Sequence, residues 1–203
     1  MAEPRQLTRE FFARDSVLVA PELLNLVLVG RGAAGRIVEV EAYGGELDAA
    51  SHAFRGRTSR NATMFGPPGH LYVYFTYGMH HCANVVCAEV GVARAVLIRA
   101  LAPLAGLAAM RRRRGGRGGD AELCSGPARL CQALGIDRAD DGADLVTGDA
   151  APALLDDGIP PPRDPWCGSR VGLSARVGEA VLLPWRFAVP GDPHVSRPAR
   201  HVD

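Results

Sequence analysis

Apolar and polar positions fall into short alternating runs separated by glycine and proline. Leu26–Val29 and Arg36–Tyr43 predict two strands around a glycine loop at 30–35. His70–Tyr77, His80–Glu89 and Ala93–Leu101 predict three more, with Gly78 and Gly91 at the bends, an antiparallel meander. Helical patterns cover Thr8–Phe12, Ser16–Leu24 and Leu104–Arg113. A fourth helix starts at Ser125-Gly126-Pro127, with Ser125 as its cap, and stops at Gly135. Residues 44–69 are polar, glycine-rich and without periodicity, which predicts a long irregular segment of the kind that often carries function. The acidic, proline-rich stretch 137–165 reads as surface. Arg170–Gly178 and Ala180–Val189 read as final strands, and 191–203 as a tail. The elements together predict an α+β domain: a curved, mostly antiparallel sheet surrounded by helices, with a protruding hairpin.

Composition adds limits. The chain has 203 residues, 47% of them apolar, enough for one sizeable core. A net charge of +1 does not exclude a nucleic-acid partner, because placement of charge matters more than its sum. All 23 basic residues are arginine, and four of them run together in 111–119, which reads as a flexible basic loop. Cys82, Cys87, Cys124, Cys131 and Cys167 show no paired spacing, so reduced thiols and a cytoplasmic location are expected. His80-His81-Cys82 alternates across a strand and does not converge on a metal; neither a metal nor a cofactor is expected. No apolar run approaches the ~18 residues of a membrane span.

Three stretches carry chemistry. In Ile37–Tyr43, residues two apart share a face, which groups Ile37, Glu39, Glu41 and Tyr43 against Val38, Val40 and Ala42. Two carboxylates ~7 Å apart along a strand are an edge decoration or a source of a general base. In Leu71–Met79, Tyr77 lies beside a glycine turn at a hairpin tip, where a large aromatic is either packing or a wedge for a nucleic-acid stack. The loop Ser51–Asn61 holds Arg55, Arg57 and Arg60, an ordinary polar loop or a set of phosphate contacts. Asn84 and Arg99 interrupt apolar strands, where a buried polar side chain needs a partner.

The ordered set Val40-Glu41-Ala42-Tyr43, Met64-Phe65, Gly69–Tyr74, Tyr77-Gly78-Met79, Leu97–Leu101 and Leu123–Pro127 closely resembles the alkyladenine (3-methyladenine) DNA glycosylases, over roughly residues 6–190. Segments 111–119 and 137–165 have no motif to match. The resemblance implies a nucleotide turned out of the duplex into a pocket. It makes Tyr77 the residue that fills the gap, with Met79 near the widened groove. Glu41 becomes the acid that activates water, Arg99 a water- or phosphate-contacting arginine, and Val171 a backbone partner of that water. Tyr43, His52, Tyr74, Asn84 and Leu97 become the base pocket, with Asn84 clashing with the guanine amino group. Arg55, Arg57, Arg60 and Asn61 become DNA contacts.

A glycosylase that also nicks the backbone uses an amine, usually lysine, and this chain has none. The expectation is therefore a monomeric, monofunctional enzyme on double-stranded DNA containing damaged purines, with no membrane partner. A non-catalytic binder of damaged DNA on the same fold is the alternative. A sugar hydrolase using Glu39 and Glu41 ranks below both, since one strand rarely sets two acids on opposite sides of a sugar.

Overall fold

The computed structural model describes residues 5–76, 78–116, 118–147 and 150–196. Among them nine strands form a single sheet in which every pairing is antiparallel: β1 (Arg5–Gln6), β2 (Val27–Gly30), β3 (Ala33–Tyr43), β4 (Leu71–Thr76), β5 (His80–Cys87), β6 (Arg94–Ala105), β7 (Ala153–Asp156), β8 (Trp166–Gly168) and β9 (Arg186–Ala188). The spatial order is β1-β7-β2-β3-β6-β5-β4, with β9 on the free half of β3 and β8 outside it. The helices are α1 (Arg9–Phe12), α2 (Ser16–Glu22), α3 (Leu107–Arg113) and α4 (Pro127–Leu134). The meander β4-β5-β6 and the α+β class are as the sequence pattern predicts.

The period of two divides the sheet into two working faces. Leu71, Val73, Ala83, Val85, Val96, Ile98, Val40 and Ala42 point to one side. There they meet α2 through Val19, Ala20 and Leu23, and α4 through Leu130, Cys131 and Leu134, in the main core. Their neighbours Tyr72, Tyr74, Asn84, Leu97 and Arg99 point to the other side, which among the described residues no α-helix covers as a layer and which becomes the site.

One local irregularity breaks that alternation. Ile37 pairs with Leu101 and Glu39 with Ala100, so Val38 is extra on β3; Val40 then pairs with Ile98, so Arg99 is extra on β6. Paired bulges re-aim side chains in this way. Ile37, expected on the acid face, joins Val40 and Ala42 in the main core instead.

Several element ends differ from expectation. The glycine loop at 30–35 shrinks to Arg31-Gly32, because β2 and β3 pair through Gly30 and Ala33. Helix α2 starts at Ser16 as expected, capped by the Asp15 carboxylate, but ends at Glu22 and not at Leu24; the Ser16 hydroxyl donates to the Tyr43 carbonyl. Strand β6 runs through Ala105, so α3 begins only at Leu107. Gly126 stands at the start of α4, while the Ser125 hydroxyl donates to the Val195 carbonyl. The stretch 137–165 supplies β7, an interior strand between β1 and β2, and is not all surface. In place of long final strands the chain forms short β8, a 3-10 segment at Ala175–Val181 and short β9. Arg113, at the end of α3, donates to the carbonyls of Ala133 and Arg31, and Arg111 forks onto Asp120; the basic segment is anchored at both ends.

Strand β4 is an edge, and an edge strand leaves backbone groups to be satisfied. The segment after α4 covers it. Ala143 accepts from Leu71 N–H, Gly142 donates to Leu71, and the Asp141 carboxylate accepts from Val73 N–H at 2.9 Å and from the Thr63 hydroxyl at 2.9 Å. Arg138 and Arg60 donate to the carbonyls of Val73 and Phe75. Replacing Asp141 with Ala should cost about 1–3 kcal/mol in urea unfolding, the penalty of an unpaired buried donor. A loss below ~0.5 kcal/mol, the scatter of ordinary surface substitutions, would mean that the edge does not depend on this carboxylate.

Candidate active site

The site begins with two carboxylates that have no exposed surface. Glu39 and Glu41 are both 0% exposed. Such burial is tolerated only when charge and lone pairs are matched. The bulged Arg99 lies between them, with Nε on Glu39 at 2.8 Å and Nη1 on Glu41 at 3.2 Å. Burial opposes the guanidinium's charge, but Glu41 and Glu39 outweigh it and hold its pKa above the ordinary value.

Their remaining partners distinguish the two acids. Glu39 accepts from Arg99 Nε, from Arg186 Nε at 2.7 Å, and from both the backbone N–H and the hydroxyl of Ser196. A carboxylate has about four acceptor positions, and four donors meet Glu39, three on Oε1 and one on Oε2. Although burial pushes the other way, Arg99 and Arg186 hold its carboxyl below the usual range. Among the described residues, Glu41 accepts two hydrogen bonds, from Val171 N–H on Oε1 at 2.6 Å and from the Tyr43 hydroxyl on Oε2 at 2.9 Å, and pairs with the Arg99 charge at 3.2 Å. Its carboxylate keeps room for a further donor. Burial, followed by the Glu41 charge, pushes the Tyr43 phenol well above its ordinary pKa, so it stays protonated and donates.

Behind the partners of Glu41, which itself does not reach the surface, opens a cavity of about 370 Å³, at the small end of ligand sites. Tyr43, Arg99 and Val171, the three partners of Glu41, line it. So do His52, Tyr74, Asn84 and Leu97. The sequence-selected pocket residues therefore converge on one space. Asn84 donates to the Tyr72 carbonyl and holds the β4-β5 wall. His52 stands edge-on to Tyr74 at 4.5 Å between ring centroids, and its Nδ1 lies 3.1 Å from the Tyr72 hydroxyl. The protein packed about its ring, and then Arg60, push the imidazole pKa down. Burial raises the Tyr72 phenol to about 12. Burial also raises Tyr74.

Outside the cavity, Arg55, Arg57 and Arg60 are exposed on the irregular loop, and Met79 is 68% exposed just past the turn at Gly78. Tyr77, expected at the hairpin tip, lies outside the described residues. Asn61 is a correction. It is 2% exposed, its amide donates to the carbonyls of His52 and Gly56, and its oxygen accepts from the Thr58 backbone and hydroxyl. It clamps the loop from within and presents nothing to a DNA strand. Arg99 likewise has its guanidinium committed to Glu39, Glu41 and the Ser196 hydroxyl, which leaves a phosphate role without a donor surface.

Sequence reasoning missed Asp48, Tyr72, Arg170 and Arg186. Asp48 and Arg170 form a bidentate pair at 2.5 and 2.9 Å with both side chains fully buried. Tyr72 was visible only as one more β-forming aromatic. The two arginines are single charges in a segment read as strand, with no spacing signal.

Residues 10–193 match the family model described as methylpurine-DNA glycosylase. The chain is 56% identical over 193 residues to a Burkholderia lata protein, covering 95% of this chain and 91% of that one. It is 58% identical over 189 residues to a Burkholderia cenocepacia protein (93% and 89%) and 50% identical over 201 residues to one from Streptomyces avermitilis (97% and 93%). All three relatives carry the name "Putative 3-methyladenine DNA glycosylase".

Replacing Asn61 with Ala should cost about 1–3 kcal/mol, from the two carbonyls and the Thr58 donors left unpaired, and should speed proteolysis of the loop. The slope of DNA affinity against salt should stay unchanged, since no phosphate contact is lost. An unaltered melt with a shallower salt slope would return Asn61 to the DNA surface.

Proposed function

This chain belongs to the methylpurine-DNA glycosylase family, and from that membership we propose that it is a monofunctional enzyme of base excision repair. It flips a damaged purine into the cavity behind the partners of Glu41, hydrolyses the N-glycosidic bond and leaves an abasic site. The substrate class is 3-methyladenine, 7-methylguanine, hypoxanthine and ethenoadenine. The observation that carries this reading is the acceptor capacity left on Glu41 next to a cavity of about 370 Å³ lined by its own partners Tyr43, Arg99 and Val171.

In this reading Glu41 takes the proton of one water as the water attacks the sugar carbon. A positioned base of this kind contributes ~10²–10⁴-fold. Because the carboxylate has no exposed surface, the Tyr43 hydroxyl or the Val171 segment shifts to admit that water. Arg99 stays on the carboxylates and holds Glu41 in place while the water is deprotonated. The Tyr43 and Tyr74 rings take the faces of the base, and an electron-poor alkylated purine stacks on them better than an ordinary one. When the Tyr72 hydroxyl donates to His52 Nδ1, 3.1 Å away, the imidazole proton sits on Nε2, the tautomer that can donate to the base. Asn84 crowds the position of a guanine amino group.

The alkylated base cannot be reached inside the stack, and its extrusion costs a few kcal/mol. In this reading Tyr77 and the exposed Met79 fill the space it leaves. Arg55, Arg57 and Arg60 hold the backbone beside it. With no lysine in the chain, no side-chain amine forms the Schiff base that strand cleavage needs. The enzyme acts as a monomer in the cytoplasm of a bacterial cell.

Glu41→Gln should lower single-turnover base release by ~10²-fold or more, the loss of a general base, while binding to lesion-containing duplex holds. Strand breaks should form only after alkali. Base release undiminished in this variant would sink the water-activating role; duplex binding without release by the wild type would favour a non-catalytic binder.

A further inference from the structure

We infer that Arg170, held by Asp48, is a positioning residue for base release: it fixes the Val171 amide on Glu41 and the plane of the Tyr43 ring. The inference rests on the glycosylase reading above. Arg170 has no exposed side-chain surface. Its fork meets Asp48, and the same two nitrogens also donate to the carbonyls of Ala42 at 3.0 Å and Ala180 at 3.1 Å. Ala42 is the residue between Glu41 and Tyr43. Val171, the next residue after Arg170, puts its N–H on Glu41 Oε1 at 2.6 Å. The guanidinium carbon lies 4.7 Å from the Tyr43 ring centroid and 5.2 Å from that of Trp185. One side chain thus holds the backbone on both sides of the Glu41 carboxylate and supports the ring that donates to it.

Asp48 extends the same hold to the loop. It accepts from Gly44 N–H and Ala50 N–H, both at 3.0 Å, and so sets the path from Tyr43 to His52. Burial opposes its charge, but the Arg170 fork and the Gly44 amide outweigh it and keep the carboxyl below its ordinary range. Gly45, inside this path, has φ +69°, and a Cβ there would come within 2.0 Å of the Ala93 carbonyl oxygen. The loop has one route across the sheet, and the ion pair fastens it.

Stability alone is a poor reason for such a pair. Replacing a buried ion pair with well-packed apolar residues is often neutral or stabilising. An apolar pair cannot aim a backbone N–H or fix a ring by forked hydrogen bonds. The benefit of aim is catalytic, because a ~1 Å misplacement remote from the chemistry can cost ~10²-fold.

Two variants test this. Asp48→Asn/Arg170→Gln removes both charges together and leaves amides that can still pair; Arg170→Lys keeps the charge but loses the planar fork. The measurements are single-turnover base release from duplex with one alkylated purine, affinity for an abasic-site duplex, and urea unfolding. The double variant should release base ~10²-fold more slowly with affinity within ~3-fold of wild type. Arg170→Lys should fall between, at ~10-fold. A folded variant whose release rate stays within ~3-fold of wild type overturns the inference; so does a rate that falls only in step with lost affinity. If the double variant does not fold, Arg170→Lys decides by the same criteria. Wild type that releases no alkylated purine sinks the glycosylase reading itself, whereas active wild type with equally active variants sinks only the positioning role.

Discussion

Two carboxylates buried side by side on one strand impose the main constraint on this molecule. Removing an ion from water costs several kcal/mol even after relaxation, so Glu39 and Glu41 require matched charge in fixed directions. Arg99 can serve both because the β6 bulge turns it out of the regular ladder and into the gap between them. Arg186 and Ser196 then complete Glu39 and tie in the strand and segment near the chain's end. Among the described residues Glu39 accepts four hydrogen bonds and Glu41 two, so the same residue type, two positions apart, meets different donors. In the proposed function that difference sets a structural carboxylate beside a reactive one.

The two-faced sheet makes this arrangement affordable in stability. Helices α2 and α4 bury the apolar face, so the fold does not need apolar packing where the acids lie. The opposite face is then free to carry phenols, an imidazole, an amide and a guanidinium. A smaller cluster of Ala53, Met64, Phe65, Tyr72, Val86 and Ala95 supports that side and lets the irregular segment 44–69 lie over it. Asp48 and Asn61 hold the segment from inside, and Asp141 holds its neighbour Thr63 to the β4 edge. The long loop is irregular in backbone but fastened at several points, as a wall of a shaped cavity must be.

Legibility in the sequence followed the range of the interaction. The β4-β5-β6 meander was visible because alternation and glycine turns are local signals. Tyr43, His52, Tyr74, Asn84 and Leu97 were visible through ordered motifs that resemble a known family, and the cavity gathers them. The Val38 and Arg99 bulges were not legible, since no local pattern marks which residue a ladder will skip. The Asp48–Arg170 pair joins residues separated by more than half the chain, and neither neighbourhood hints at the other. Strand β7 hid in an acidic stretch because four residues between proline-rich neighbours carry little periodicity. Asn61 was misread for a related reason: a polar residue among loop arginines looks exposed until the carbonyls it satisfies are known.

Charge balance around the cavity bears on how a damaged base is told from a sound one. Glu39, Glu41 and Asp48 stand against Arg99, Arg170 and Arg186, three formal negatives and three formal positives, each acid directly on an arginine. The depressed imidazole of His52 adds no positive charge near neutral pH. These six charges cancel and lend no net field with which to draw in a cationic purine. Arg170 behind Tyr43 even sets a positive charge against the far face of the ring that would receive one. For the proposed activity, selection must then come from steps that a net field does not control. These are the ease of extruding a weakened pair, the stacking of an electron-poor ring, the fit beside Asn84, and the readiness of an alkylated purine to leave as a neutral base. For the proposed activity, a pocket built on those terms turns away a sound purine by its shape and its stronger glycosidic bond and not by its charge.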